Sequence, residues 1–421
     1  MTPIAAANVT RTVLSNGLTV IVKPSPGTET VAIHGVVKAG GVFDSGRPGH
    51  ARFVGATLMH GTRRRTAQQI AEHLDAMGAS LAVAPGLEVT AVIGRALADD
   101  LPALMGTAAE VLTEPAFPPE EVEKVRGQLL TAARVNALDT RQVAERLFRR
   151  MAYPDGHPQS QSPDGDEVVL TTLTPADLHA FHAGHYRPEA AAFTIVGDLN
   201  AGEAVDLAAA VFGGWPSGGA WSMPRFDAPR AVGGLRREEA RLPGKTQADL
   251  ALGVPGLSRT EPGYYPAMMA NLLLGQLGMM GRVGENVRER QGMAYYAYSD
   301  LRAGLLAGPW WVRAGVNPTN LDRAIAAIVA EILALQREGP GEDELADARR
   351  FLVGSLALRL ETTQGVAQTL SDIELFGLGL DYLARYPSII EGVGRDDIVD
   401  AIRRFPAEAH TLAIAGPERP A

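Results

Sequence analysis

The sequence predicts an α+β protein of two homologous domains, each a mainly antiparallel sheet with helices on one face. Three observations lead there. Strands arrive in hairpins and helices follow in clusters, an order that suits helices layered on an antiparallel sheet rather than alternating around a parallel one. The segment that closes the first half, a helix from Thr174, then Tyr186-Arg187-Pro188 and a strand ending at Gly197, has a counterpart at the C-terminus. There a helix beginning at Asp397 and Ile398 precedes Phe405-Pro406 and a strand from Thr411 to Gly416. A second match, Leu101 through Pro118-Pro119-Glu120-Glu121 and Arg126 against Leu321 through Gly341 to Glu344 and Arg349, has nearly the same spacing. Two matches about 220 residues apart indicate a duplicated domain.

Taken in order, residues 11–22 form two β-rich runs around Asn16-Gly17, a strong short hairpin signal. A strand follows at Val31–Val37. Helices are expected at Thr66–Met77, where Ile70, Leu74 and Met77 share a face and Gly78 ends the pattern, and at Leu101–Leu112 behind the capping acids Asp99 and Asp100. Pro118-Pro119-Glu120-Glu121 opens a longer helix, since proline fits the first helical turn. The Gly- and Pro-rich stretch from Gly213 to Pro229 has neither helical nor strand period. The expected organisation is therefore a first domain at 1–212, a linker at 213–232 and a second domain at 233–421.

Composition narrows the function. With 46% hydrophobic and 21% charged residues over 421 positions, the chain has the make-up of a globular protein with real cores. The absence of cysteine excludes disulfides, thiolate metal sites, iron–sulfur clusters and a cysteine nucleophile, so any metal would need His, Asp or Glu. A net charge of -9 offers no field for a phosphate backbone, and nucleic acid is not an expected partner. The opening residues lack the charged and apolar regions of a secretion signal, and no apolar run is long enough to span a bilayer. The expected location is cytoplasmic, or periplasmic if a signal has been removed, with no membrane partner.

Several candidate sites read more simply as structure. The histidines His179, His182 and His185 place two rings on one helical face and the third off it, with no carboxylate beside them, which describes a solvated helix end better than a metal site. His50 and His60 have no acid between them. Gly275, Gly278 and Gly281 follow apolar helical residues rather than a strand, so they join two helices and do not form a dinucleotide cradle. Arg63-Arg64-Arg65, and Arg141, Arg146, Arg149 and Arg150, are charge runs on helical stretches; with Glu145 interleaved, the second group reads most simply as a solvated face, its arginines free to pair with acids. The segment from Gly281 to Ser299 is the most informative: a short helix ends at Gln291-Gly292 and an aromatic strand follows. Arg288 and Tyr295 flank that glycine turn, so a guanidinium and a phenolic hydroxyl can aim donors at one acceptor such as a peptide carbonyl.

Those residues, with the Asn16-Gly17 hairpin, Gly49-His50-Ala51, Gly61-Thr62, Pro115-Ala116-Phe117-Pro118, His185-Tyr186-Arg187-Pro188, Gly197-Asp198 and Gly292-Met293-Ala294-Tyr295, resemble the pitrilysin/insulinase family of zinc metallopeptidases, in particular the small bacterial members related to mitochondrial processing peptidase. The resemblance spans nearly the whole chain and implies that each domain is one part of a clam-shell half. Family catalysis requires His-x-x-Glu-His directly after Gly-x-Ala, and a carboxylate ligand about 75 residues on. Two imidazoles and a carboxylate hold zinc, and the intervening Glu deprotonates the bound water. This chain departs from the pattern at every one of these positions. Arg52 stands at the first ligand, Gly55 at the base and Ala56 at the second ligand. The third falls near Thr131 and Ala132, with no Asp or Glu between Glu123 and Asp139. The resemblance also implies that Arg288 and Tyr295 match an Arg and Tyr with which family members contact substrate near the scissile bond.

The sequence therefore predicts a subunit without metal or cofactor of its own, inactive alone, within a heterodimeric peptidase. A homologous partner would carry the zinc, and this chain would supply Arg288, Tyr295 and half of a peptide chamber. The competing reading is a purely structural or peptide-binding scaffold subunit. A stand-alone enzyme of other chemistry lacks a visible nucleophile–base pair.

Overall fold

The computed structural model describes residues 8–229 and 233–418, so the opening residues 1–7 and the expected linker end at 230–232 lie outside the described residues. The chain forms two compact units that are discontinuous in sequence. The first combines residues up to Ala133 with Ser162–Arg225 and Leu356–Arg385. The second combines Arg134–Gln161, Phe226–Ser355 and the chain from Tyr386 onward.

The sheet of the first unit contains β1 (Thr10–Val13), β2 (Thr19–Pro24), β3 (Thr30–Val37), β4 (Ser80–Pro85), β5 (Thr90–Leu97) and β6 (Ala191–Gly197), in the order β1-β2-β6-β3-β5-β4. Only β2 and β6 run parallel; the other neighbours are antiparallel. Gly17, at φ 93°, makes the β1–β2 turn, and a side chain there would also strike Glu189, whose Cγ lies 2.7 Å from the Cβ position. Alternation along the strands sends Val20, Val22, Ile33, Phe193 and Ile195 to one face, where they share a core with Leu104, Met105 and Ala108 of the helix Leu101–Thr113 and with Ala208 and Phe212 of Ala201–Phe212. These helices do lie on one face, as expected. The opposite face, with Ile21, Ala32, His34, Val36 and Val196, is equally buried, because the helix Thr363–Leu375 from far along the chain packs on β3 and β6. Its Val366, Leu370 and Ile373 are buried, and each contributes roughly 1.5–3 kcal/mol.

The second sheet contains β7 (Arg236–Arg241), β8 (Ala248–Pro255), β9 (Ala294–Ala303), β10 (Ala307–Val316) and β11 (Thr411–Gly416), in the order β7-β11-β8-β10-β9. Again one pair, β7 with β11, is parallel and the rest are antiparallel. Without β1, the first sheet has the same order and the same single parallel pair, so the duplication read from two short matches extends to every strand of the smaller sheet. Trp310 and Val312 face one side, where the Trp310 indole donates to Asn271 Oδ1 at 3.1 Å and meets Phe405 edge-on. On the other side, Trp311, Ala251 and Ala413 pack with Leu147, Phe148 and Ala152 of the helix Thr140–Ala152. The exchange is therefore reciprocal: in each half of the sequence, the helix after the long helix belongs to the unit built mainly from the other half and covers its sheet.

For the group of Arg141, Arg146, Arg149, Arg150 and Glu145, read as a solvated face, that exchange corrects the reading at Glu145 and Arg149, whereas Arg141 and Arg150 remain exposed. Glu145 is 7% and Arg149 5% exposed. Glu145 pairs with Arg313 of β10, and Arg149 donates to Gln159 Oε1 at 2.6 Å while its guanidinium lies 5.2 Å from the Trp311 ring. Arg141 donates to the Tyr296 hydroxyl at 3.1 Å from above the ring, and Arg150 pairs outside with Glu238. The strands under this helix carry Asp249, Tyr296, Tyr298 and Arg313 on one face, so charged helix positions find partners instead of water. Asp100, expected to cap the helix Leu101–Thr113, makes no side-chain capping bond there.

Candidate functional site

In the first unit the helix His50–Thr57 begins directly after Gly49, which adopts φ 98°. Asp44 fixes this start: its Oδ2 accepts from the Gly49 amide at 2.8 Å and its Oδ1 from the Ala51 amide at 2.7 Å. Burial pushes this carboxyl up to about 6, although the two amide donors pull it back. Arg52 and Ala56, one turn apart, share a half-buried face, and Gly55 beside them is buried. The Arg52 guanidinium donates to Pro163 O at 2.6 Å and to Asp164 Oδ1 at 3.1 Å. Gly55 lies against the end of β4: a Cβ there would sit 2.6 Å from Pro85 Cβ and 3.0 Å from its Cγ. Thr131 and Ala132 lie on the helix Pro119–Ala137, where the Thr131 hydroxyl donates back to Gly127 O at 2.8 Å. That helix reaches the first through Arg126, which stacks 5.2 Å from the Phe53 ring and donates to the carbonyls of Leu170 and Leu173.

The histidines serve packing. His182 contacts Leu112 O at 2.8 Å and stacks on Tyr186, and burial brings its pKa down to about 4. His179 meets Phe117 edge-on, and His185 lies between Phe43 and Phe181. His182 is thus interior, unlike the solvated helix end that the spacing suggested. His50 contacts Asp177 O at 3.1 Å and the Phe181 ring, and His60 pairs with Glu121 at 2.6 Å. Among the described residues no group of three His, Asp or Glu side chains is placed to hold a metal ion.

In the second unit, Gly281 closes the loop after the helix Tyr264–Gly275 at φ 65°, with Leu273 O only 2.6 Å from where a Cβ would stand. A π-helical turn, Gly284–Arg290, then carries Arg288. Such turns recur at functional sites because the widened ladder re-aims a side chain. Gly292, at φ 61°, reverses the chain into β9. Tyr295 shares a strand face with Ala297 and Ser299, the latter bonded to Asn271 O at 2.8 Å, but it lies beyond that packing and is 66% exposed. Tyr296 and Tyr298 point to the opposite face, under Arg141 and Arg313. Arg288 is half-exposed, and its one ionic neighbour among the described residues is the adjacent Glu289 at 3.4 Å. Tyr295 makes no hydrogen bond to the described residues, so both side chains keep donors free.

Residues 19–160 match the family model described as Insulinase (Peptidase family M16), and residues 172–352 match that described as Peptidase M16 inactive domain. The chain belongs to the insulinase family of peptidases, M16. Among relatives of this M16 chain, an uncharacterized zinc protease of Streptomyces coelicolor is 28% identical over 424 residues, covering 97% of this chain and 90% of that one. An uncharacterized zinc protease of Mycobacterium leprae is 28% identical, over 88% and 83% of the two chains. Two solved structures share the two-domain α+β fold. The peptidase M16 inactive domain from Pseudomonas fluorescens superposes with a TM-score of 0.91 at 23% identity, over 98% of both chains. A protease from Helicobacter pylori does so with a TM-score of 0.89 at 19% identity, over 97% and 99%.

The M16 family implies zinc, and the residues present do not fit it. Arg52 is a permanent cation already engaged with Asp164, Ala56 has no donor atom, and Pro85 stands where a side chain at position 55 would go. Among the described residues no helix is long and apolar enough to cross a membrane.

Proposed function

We propose that this M16 chain is the non-metal subunit of a two-chain peptidase and supplies Arg288 and Tyr295 to a peptide held at a homologous partner's zinc site. The observation that carries this reading is a contrast. The chain has no ligand or base at the family's metal positions, yet it presents a guanidinium and an exposed phenol with free donors on either side of the Gly292 turn. Both stand on ordered backbone, one on a π-helical turn and the other on the first residues of β9. Two such donors would orient an extended peptide and stabilise negative charge as it develops on the scissile carbonyl oxygen.

The test is a mixture with a homologous chain that carries an intact His-x-x-Glu-His. Activity should be absent in this chain alone and appear in the mixture in a chelator-sensitive form. Arg288→Ala and Tyr295→Phe should each lower kcat/KM of the mixture about a hundredfold, at the low end of the range for removing one preorganised donor, without changing the assembled mass. Unchanged turnover in both variants would refute the assigned role and leave the scaffold reading in its place.

A further inference from the structure

The departure from the metal motif is more than a loss of ligands. The loop after Gln161 folds back over the start of the helix His50–Thr57: the Asp166 amide donates to Pro48 O at 2.9 Å. Gly49 and Gly165 meet there backbone to backbone, and a Cβ on either would lie 2.8 Å from the other's Cα. Both have positive φ, 98° and 84°, so neither position tolerates a side chain. One turn along, Arg52 reaches the same loop at Pro163 O and at Asp164, itself 7% exposed. Three residues further along the helix, Pro85 at the end of the edge strand β4 fills the space over Gly55. The Cβ position is set by backbone alone, and at 2.6 Å from Pro85 Cβ it is closer than such atoms approach one another. The contact is with a ring that cannot rotate away.

We infer that the vestigial metal cleft of this chain is a closed joint: Arg52 ties the helix to the loop 162–166, and Pro85 locks the end of β4 into the notch at Gly55. The place of a metal-bridging network is taken by an internal ion pair and a knob in a notch. Zinc chemistry is therefore barred by shape as well as by composition, and the end of β4 is not free to part from the helix and admit a peptide. The joint is defined by where the family frame falls in the sequence. It involves neither Arg288 nor Tyr295 and needs no partner chain, so it can fail while their proposed roles stand, and the reverse.

A double-mutant cycle on the full-length chain by itself tests it. Replacing a glycine inside a helix with alanine ordinarily raises stability, because alanine restricts the unfolded chain and favours the helix. Here G55A should lower the Tm by several degrees, since the new methyl meets Pro85. In the P85G background the sign should reverse, and G55A should leave the Tm unchanged or raise it. If G55A fails to fold with Pro85 present and is recovered by P85G, the result supports the joint in stronger form. A G55A that is as stable as the parent, or one equally damaged in both backgrounds, overturns it. So does stoichiometric zinc, measured by metal analysis, in R52H/G55E/A56H/A132E with Pro85 in place.

Discussion

Asp44 shows how a single residue sets the local frame. Its carboxylate caps the helix His50–Thr57 through two amides, yet burial makes its charge expensive and raises its pKa from 3.8 to about 6. A carboxyl whose folded pKa is raised binds its proton more tightly in the fold than in the unfolded chain. Its contribution is therefore full below about pH 4 and is lost as pH rises through about 6, at most about 3 kcal/mol. His34 and His182, whose pKa values burial lowers to about 4, act oppositely: they must gain charge as pH falls, so the stability they contribute is lost on acidification. The net curve mixes the two, and a difference measurement separates them. Asp44→Asn keeps one acceptor and cannot ionise, so between pH 4 and 6 its Tm should improve relative to the parent as pH rises. A constant gap across that window would show that Asp44 does not titrate there.

Among the helices, the exchanged Thr140–Ala152 rests on both grease and charge. Leu147 and Phe148 pack on Trp311 and Ala251, while Glu145 holds Arg313, and Thr140 and Tyr296 donate to the buried Asp249. Burial lowers the Arg313 pKa to about 10, and the neighbouring Arg141 adds to that, so the site disfavours this charge and the nearby carboxylates offset it only in part. Glu145→Gln removes the nearer of the two carboxylates on this buried guanidinium, leaving only Asp300 at 3.6 Å, and should cost about 3 kcal/mol in urea unfolding, at the low end for a broken buried pair. The double variant Glu145→Leu with Arg313→Met should cost clearly less, because replacing both partners leaves no stranded charge. Equal losses in the two would mean that packing alone fixes the helix.

For the chain entire, reciprocal exchange makes the two halves interdependent. A fragment ending at Arg225 would leave the face of its sheet around Ile21, Val36 and Val196 without Thr363–Leu375 and would expose the apolar side of Thr140–Ala152. Expressed alone, residues 1–225 should be insoluble or bind a hydrophobic dye strongly. Co-expressed with 226–421, they should return to solution as one complex with the melting behaviour of the intact chain. Independent folding of 1–225, shown by a cooperative transition, would mean that the exchanged helix is dispensable.

Much of this is legible in the chain itself. Asn16-Gly17, Pro119, Thr174 and Gly292 mark boundaries because turns and caps are local chemistry. Arg52, Gly55 and Ala56 likewise show by their identity that the family's metal donors are missing, since coordination requires particular atoms. The burial of Glu145 and Arg149 is not legible, because a helix pattern records which positions differ in polarity but not which sheet will cover them. Their partners, Arg313 and the Trp311 ring, lie about 160 residues along the chain. Closure of Gly55 by Pro85 is invisible for the same reason: a glycine in sequence is only a missing side chain, and the obstacle to adding one is an atom brought there by another element. The family, the duplicated plan and the absent ligands follow from residue type and spacing, which any reader of the chain can inspect. Which helix covers which sheet, and the filling of the old cleft, emerge only in the folded protein, because both depend on long-range contacts that no local pattern encodes.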